Sequence, residues 1–573
     1  MAPPAAKTKP EKAPKAPKAK RERPPKAERA RKPSLLSRLR RRPRERRSLS
    51  DYSDRALLAQ YRKSATSKGW RYTLYGVLVL LASIWGLAFG LTAPFQIMPM
   101  IAPLVLVAFL IVWTLPAGNY APTAAIEPLF LAFAVALYLW PNYLAVALPH
   151  LPWLTLLRIF ATPLILMLLI SLSVSAPFRR ELGAAINTDK VLWKMLLAFV
   201  AMQTLSLALT KDPVISLNRY IVAQMNWTAI FFVSCYVFTK PGFTERFVRM
   251  MILMAYVVCF FGIWENVIVA LPWAGHIPPL LKVDGDLVDH VLAGASRSAI
   301  GIHRVQSVAT TPLGLAELLG LTAPFAVHLA IERRPLWVRL MAVAYLPLAL
   351  YLILLADSRL GIVALIGAIL FYILIWGALA WRKDRASLLA PALVMVYPAL
   401  FTGVILASFF VGKLRAKVWG TGGSQASTDA RAMQWKMATP KILTHPLGHG
   451  IGQAAREVGF KSPNGMGTLD SYYISMLMDF GVIGFCLFFG LFIRAAWVGG
   501  KVVVTLRPKG ELTMLLPLVV ALMNFVVIKS VFSQNANHPL VFMMLGAVVA
   551  LTYRAQREAQ DVYVPKTPSI TPR

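Results

Sequence analysis

Three arginines and one aspartate are of the types that could bind a phosphate group and accept a proton. Arg219, Arg304 and Arg359 lie at or beside the ends of long apolar runs, where a charge is costly and usually has a partner or a function. A guanidinium group presents a planar fork of N–H donors that matches phosphate oxygens. We therefore predict that the three arginines converge on one membrane face and bind a diphosphate. For Arg359, a pair with Asp357 or extension towards the headgroups is the structural alternative.

Asp470 is the candidate general base. It ends a long polar stretch and directly precedes the apolar run that starts at residue 471. A carboxylate in that position can take the proton of an acceptor hydroxyl if it is partly desolvated. Asp470 or Ser471 can equally serve as the N-cap of the following helix, and the two roles do not exclude one another.

The composition indicates the elements that must position these side chains. Of 573 residues, 57% are hydrophobic and 15% are charged, with a mean hydropathy of +0.58. A water-facing surface does not allow such values, so a soluble enzyme, a secreted disulfide scaffold and a mostly disordered protein are excluded. The fold class predicted is all-α: a polytopic helical bundle of about 12–14 transmembrane helices, which the family resemblance given below would make an inner-membrane bundle. Fourteen runs are long enough to span a bilayer: 73–92, 97–115, 128–148, 153–174, 191–209, 218–238, 247–270, 308–330, 338–356, 360–381, 388–411, 471–497, 511–531 and 539–553.

Charge predicts the orientation. About half of the net charge of +35 lies in the first 71 residues. Five of the loops predicted on the same side carry three basic residues each and one, 116–127, carries none, whereas loops 93–96 and 149–152 on the opposite side carry none. By the positive-inside rule both termini are cytoplasmic. The tail lacks aromatic residues between its charges, so we expect contact with anionic lipid headgroups and not with nucleic acid.

The resulting division of the chain has eight segments. They are a disordered basic cytoplasmic tail (1–50), a juxtamembrane interfacial segment (51–71), N-terminal transmembrane helices (72–270), a first long periplasmic loop (271–307), central transmembrane helices (308–411), a large periplasmic loop (412–470), C-terminal transmembrane helices (471–553) and a cytoplasmic tail (554–573). The second long loop is rich in Lys and Arg, which suggests an anionic ligand outside the membrane; a solvated, irregular loop is the alternative. The sequence predicts no metal site and no cofactor, because the spacing of neither the acidic cluster 282–290 nor His445 and His449 fits a metal motif.

Four stretches in this order resemble the O-antigen ligase/polymerase-like superfamily of bacterial membrane glycosyltransferases. They are HRVQSVATTPLGLAELLGLTAPFAV (303–327), ADSRLGIVALIGAIL (356–370), DARAMQWKMATPKILTHPLGHGIGQ (429–453) and LDSYYISMLMDFGVIGFCLFF (469–489). The resemblance implies a GT-C-like, metal-independent, inverting enzyme acting on undecaprenyl-diphosphate-linked oligosaccharide at the periplasmic face. It adds Arg431, which precedes Trp435, to the arginines that would hold the diphosphate, with Arg219 as a looser match.

The resemblance leaves the acceptor open. Polymerases pass the glycan to another repeat unit, with a chain-length regulator as a possible partner, and ligases pass it to lipid A-core. Ligases often have a histidine where this chain has Asp470, so a polymerase-type enzyme is the expectation and a ligase is the alternative. A glycolipid flippase or transporter, whose arginines bind headgroups without chemistry, is the alternative from another class, and a scaffold for envelope assembly is a third.

Overall fold

The computed structural model describes residues 72–73, 76–77, 79–81, 83–84, 107–118, 120–147, 153–283, 285–294, 303–386, 388–415, 425–461, 467–531 and 535–563. The predictions for the basic tail (1–50) and the interfacial segment (51–71) lie outside these residues. So do the last ten residues, 564–573, and most of the first predicted span, 73–92.

From residue 126 onward the described elements are almost all helices. In chain order they are α1 (Ile126–Leu139), β1 (Ala145–Val146), β2 (Leu154–Thr155), α2 (Leu156–Val174), α3 (Ala176–Ile186), α4 (Lys190–Ser206), α5 (Pro213–Ala223), α6 (Ile230–Val237), α7 (Phe243–Ile268), α8 (Asp286–Leu292), α9 (Pro312–Ile331), α10 (Leu336–Leu355), α11 (Arg359–Lys383), α12 (Leu389–Phe410), α13 (Gly412–Arg415), α14 (Gln425–Thr444), α15 (Ala454–Val458), α16 (Tyr472–Leu506), α17 (Leu515–Ile528) and α18 (His538–Tyr563). β1 and β2 form a two-residue antiparallel pair, and a π-helical stretch, Gln224–Ala229, joins α5 to α6.

Ten helical segments within the described ranges are long and apolar enough to cross a membrane. Each coincides with one of the fourteen predicted spans, so the fold class of a polytopic all-α membrane bundle is confirmed. Two predicted spans are shorter than expected. The run 128–148 forms only the 14-residue α1, because the chain becomes extended at Trp140 just before Pro141, and the run 191–209 forms the 17-residue α4.

The centre of the bundle is built around α9. Its residues are mostly buried, and it packs closely against α10, α11 and α17. A Cβ at Gly320 would lie 2.8 Å from the Cβ of Ala364, and a Cβ at Gly361 would lie 2.8 Å from the Cβ of Ala316. Small residues at these positions let the α9 and α11 backbones approach closely, as is typical of membrane helices.

The predicted loop 412–470 is largely helical where it is described. It contains α13, α14 and α15, and α14 alone is 20 residues long. α15 and α14 pack against the start of α16 through a separate apolar cluster that includes Ala438, Val458 and Ile474. The described part of the segment that precedes Asp470 is therefore a largely helical cap over the start of α16.

Candidate functional site

Asp470 lies against α14. Its backbone N–H donates a hydrogen bond to the side-chain oxygen of Gln434 at 2.9 Å, and its carboxylate Oδ2 is 4.0 Å from Nε of Arg431. Arg431 and Gln434 are one turn apart on α14, so both reach the same carboxylate-bearing residue. Burial raises the pKa of the Asp470 carboxyl above its usual range, while the positive charge of Arg431 and a hydrogen bond to Gln434 oppose the shift.

The N-cap position of α16 belongs to Ser471, not to Asp470. The Ser471 side chain caps no backbone N–H of the helix, and its hydroxyl instead donates to the carbonyl oxygen of Ser530 at 2.8 Å. Asp470 therefore stands one residue before the helix, and its carboxylate, about one third exposed, is accessible to a substrate.

Arg304 contacts the turn that leads into Arg359. Its Nε donates to the carbonyl oxygen of Ala356 at 3.0 Å, and a second guanidinium nitrogen is 3.4 Å from the carbonyl oxygen of Asp357. Ser358 is the N-cap of α11, with its Oγ accepting from the N–H of Gly361, so Arg359 is the first residue of that helix. The structure thus brings the Arg304 loop and the Arg359 turn together, with Arg304 satisfying carbonyls that follow the end of α10.

A buried glutamate that sequence reasoning did not single out holds the Arg304 loop. Glu265 on α7 is fully buried, and its carboxylate accepts hydrogen bonds from the backbone N–H groups of Gln306 and Ser307. The ring of His303 lies 3.1 Å from the same carboxylate. Glu265 therefore fixes the backbone that follows Arg304 and also contacts the side chain of His303, which precedes it.

Arg219 lies in the wall of a cavity of about 450 Å³. The cavity is also lined by Leu469 and Tyr472, the residues that flank Asp470 and Ser471 in the chain, and by Asp479. A Cβ at Gly452 would lie 3.0 Å from Cγ of Arg219, so the absence of a side chain at Gly452 leaves room for the arginine side chain.

Asp479 binds the glycine-rich loop, residues 446–454, to α16. Its carboxylate oxygens accept hydrogen bonds from the backbone N–H groups of Gly452 at 2.9 Å and Ala454 at 2.8 Å. The loop crosses α16 where Gly481 breaks the helical conformation, with φ 65° and ψ −171°. Asp479 is therefore engaged with backbone donors and orders the loop beside Arg219.

The predicted site residues share one end of the bundle. Ser471 bonds to Ser530, which joins the start of α16 to the end of α17, and Nζ of Lys529 lies 2.8 Å from the carboxylate of Glu317 in the second turn of α9. Gly361 brings the first turn of α11 against α9 at Ala316. We call the end formed by the starts of α9, α11 and α16 and the end of α17 the site end.

The Glu317–Lys529 pair was only half visible in the sequence. Glu317 stands out as an acid within an apolar run, but Lys529 lies near the end of a different run far along the chain, and both side chains are fully buried. The Lys529 ammonium also lies 5.2 Å from the ring centre of Tyr472. A buried pair at this position links α9 to α17 directly behind the start of α16.

A comparison with known protein families finds a match for one segment of the chain. Residues 344–489 match the family model described as O-antigen ligase. The chain contains an O-antigen ligase-related domain. The match confirms the predicted relation to the O-antigen ligase-related superfamily, a family that implies membrane enzymes of ligase or polymerase type. No protein of curated function matches the chain.

The O-antigen ligase-related domain runs from within α10 to within α16. It includes Arg359, Arg431 and Asp470, whereas Arg219 and Arg304 precede it. The two preceding arginines reach the domain through space, Arg304 at the turn after α10 and Arg219 at Gly452. Among the described residues, no group of three or more His, Cys, Asp or Glu side chains is arranged to hold a metal ion.

Proposed function

We propose that this protein is a membrane glycosyltransferase that transfers or polymerises undecaprenyl-diphosphate-linked glycan units at the periplasmic face of the bacterial inner membrane. The observation that carries the proposal is the pairing of Asp470 with Arg431 at the site end, inside the O-antigen ligase-related domain. It combines a partly buried carboxylate with a cation, as deprotonation of a hydroxyl and departure of a diphosphate require.

The proposed reaction is a single displacement at the anomeric carbon. The acceptor hydroxyl oxygen forms the new glycosidic bond, its proton passes to the Asp470 carboxylate, and the bond from the anomeric carbon to the diphosphate oxygen breaks. The electron pair of that bond leaves with the lipid diphosphate, so the configuration inverts. No ATP and no cofactor is needed, because the diphosphate is the leaving group.

In this proposal the arginines bind the diphosphate leaving group. Arg359 and Arg431 would bind the diphosphate oxygens, with Arg304 holding the turn of Arg359 and adding charge, and Arg219 as a further candidate. A guanidinium at this point stabilises charge that develops as the bond breaks. The donor enters sideways from the outer leaflet, and the ordered cap of α14 and α15 excludes water that would otherwise hydrolyse it.

The remaining features fit a multi-pass inner-membrane enzyme. Both termini lie in the cytoplasm in this proposal, and the basic tail binds anionic headgroups. The acceptor is a further glycan repeat, which makes the enzyme a polymerase, and its partner in this proposal is a chain-length regulator. The description of the matching family as O-antigen ligase supports a second candidate, transfer to lipid A-core.

Purified protein in lipid nanodiscs, supplied with lipid-linked repeat units from its own host, separates these candidates. A ladder of products without any other acceptor is the result expected of a polymerase. Transfer that appears only after lipid A-core is added identifies a ligase. Neither product, with the donor shown to be active, overturns the proposal and favours a glycolipid transporter.

A further inference from the structure

The cavity at Arg219 adjoins a second cavity of about 490 Å³. The two share five lining residues, of which Asn142, Arg219 and Asn226 are polar. The second cavity adds Arg158 and Asn218, both in the first two turns of their helices. Two arginines and three asparagines therefore line these adjoining cavities.

Some of these polar side chains have hydrogen-bond donors or acceptors that no protein group engages. Among the residues that the structure describes, no hydrogen bond within 3.5 Å engages the guanidinium of Arg219, and the buried Oδ1 of Asn226 has no partner. Asp479 is the acid that contributes favourable charge near Arg219, yet its oxygens accept from the backbone of the glycine-rich loop. A buried amide oxygen without a partner costs free energy, so a ligand that donates to it would be favoured.

The asparagine amides favour an anion that also carries hydroxyl groups over a diphosphate. A diphosphate at neutral pH offers only acceptor oxygens, and it leaves the oxygen of an asparagine amide unpaired. A sugar hydroxyl both donates and accepts, so it pairs with either end of an amide. Trp153, which is exposed in the wall of the second cavity, supplies an apolar ring face of the kind on which a sugar ring packs.

We infer that these adjoining cavities bind an acidic sugar of the glycan substrate, with Arg158 and Arg219 on its carboxylate and the asparagine amides on its hydroxyls. The inference rests on the proposed function and deepens it, since it reassigns Arg219 from the diphosphate to the saccharide. Leu469 and Tyr472 line the first cavity, so a sugar bound there contacts residues close to Asp470 in the sequence. A guanidinium pairs with a carboxylate through two parallel hydrogen bonds, and this geometry selects an acidic over a neutral sugar.

Binding to the full-length protein in nanodiscs tests the inference without turnover. The probes are tetrasaccharides containing glucuronate or galacturonate, the neutral maltotetraose, and inorganic pyrophosphate, titrated by calorimetry. We expect an acidic tetrasaccharide to bind at least about tenfold more tightly than maltotetraose, and pyrophosphate not to displace it. Equal affinity for maltotetraose, displacement by pyrophosphate, or no binding of either acidic probe overturns the inference.

Variants localise the binding. Arg158→Gln and Arg219→Gln should each weaken acidic-sugar binding about tenfold or more, and Arg219→Lys should recover part of it. Asn226→Asp, which keeps the side-chain shape and adds a like charge, should also weaken it. Arg249→Gln, whose arginine is exposed and pairs with Glu245, is the matched control and should bind like the unmodified protein.

The outcomes separate this inference from the proposed function. If the acidic probes bind as expected but no glycan is transferred, the cavity assignment stands and the reaction fails. If transfer occurs but the Arg158 and Arg219 variants bind the acidic probes like the unmodified protein, the cavity assignment fails and the reaction stands. Thermal unfolding of each variant within the range of the control shows that lost binding is not lost folding.

Discussion

At the scale of single residues, the proposed chemistry depends on the state of one carboxyl group. Burial beside α14 raises the pKa of Asp470, and Arg431 at 4.0 Å partly offsets this by favouring the carboxylate. A general base acts in its deprotonated form, so the transfer rate should fall as the pH falls through the pKa of Asp470. That acid limb should lie above the ordinary range of an aspartate.

The Arg431→Gln variant should move this acid limb to higher pH. Removing the nearby positive charge disfavours the carboxylate, so the pKa of Asp470 rises further and a greater part of it is protonated at a given pH. The measurement is the initial transfer rate against pH with saturating donor. Arg456→Gln, on the exposed side of α15, is the control and should leave the limb in place. An unchanged limb in Arg431→Gln would show that Asp470 does not act as the base or that Arg431 does not influence it.

At the scale of elements, the glycine-rich loop shows how backbone conformation positions the site. Gly448, Gly450 and Gly452 all have positive φ, and a Cβ at Gly448 would lie 2.5 Å from the carbonyl oxygen of Asp479. The loop can cross α16 only because Gly481 also leaves the helical conformation there.

Gly448→Ala should destabilise the loop more than Gly459→Ala does. Both glycines have positive φ, so both variants carry the strain of a left-handed alanine, about 1–2 kcal/mol. Gly459 faces open space, whereas at Gly448 the new methyl group also meets the α16 backbone, adding about 1–3 kcal/mol. Hydrogen exchange over residues 446–454 measures the difference. Equal exchange in the two variants would contradict the close packing of loop and helix.

The buried pair of Glu317 and Lys529 gives a second element-scale prediction. Lys529→Met leaves the Glu317 carboxylate buried without its cation and should cost about 3–5 kcal/mol of stability, seen as a lower thermal unfolding temperature in detergent. The double variant Glu317→Leu/Lys529→Met removes both charges and should recover most of the loss. A double variant as unstable as Lys529→Met alone would argue against a direct pair.

The spans could be predicted from composition, but their ends and their contacts could not. Pro141 shortens the run 128–148 to α1, because the residue before a proline avoids the helical conformation. α14 escaped prediction since it is polar and has no apolar periodicity, yet it supplies both partners of Asp470. The position of Arg219 beside Gly452 depends on packing between segments distant in the chain, which no local pattern encodes.

At the scale of the whole molecule, the orientation of the bundle in the membrane remains a prediction from charge. It places the segment 412–470 outside and the loop around Lys509 inside. In a Cys486→Ser background, Lys461→Cys should react with an impermeant maleimide in intact spheroplasts, and Lys509→Cys should react only after permeabilisation. Both positions are exposed in the structure, so accessibility itself does not distinguish them. The reverse pattern would invert the topology and place the site end on the cytoplasmic side.

The central claim is transfer of a lipid-linked glycan by the site end, and the most direct measurement is product formation by purified Asp470→Asn and Arg359→Ala proteins. Each is assayed beside the unmodified protein with the same lipid-linked donor. General-base catalysis contributes about 10²–10⁴-fold, so Asp470→Asn should lose at least about a hundredfold in rate while still binding donor. Arg359→Ala should lose rate through weaker stabilisation of the leaving diphosphate. Folded variants that transfer glycan at the unmodified rate would contradict the account.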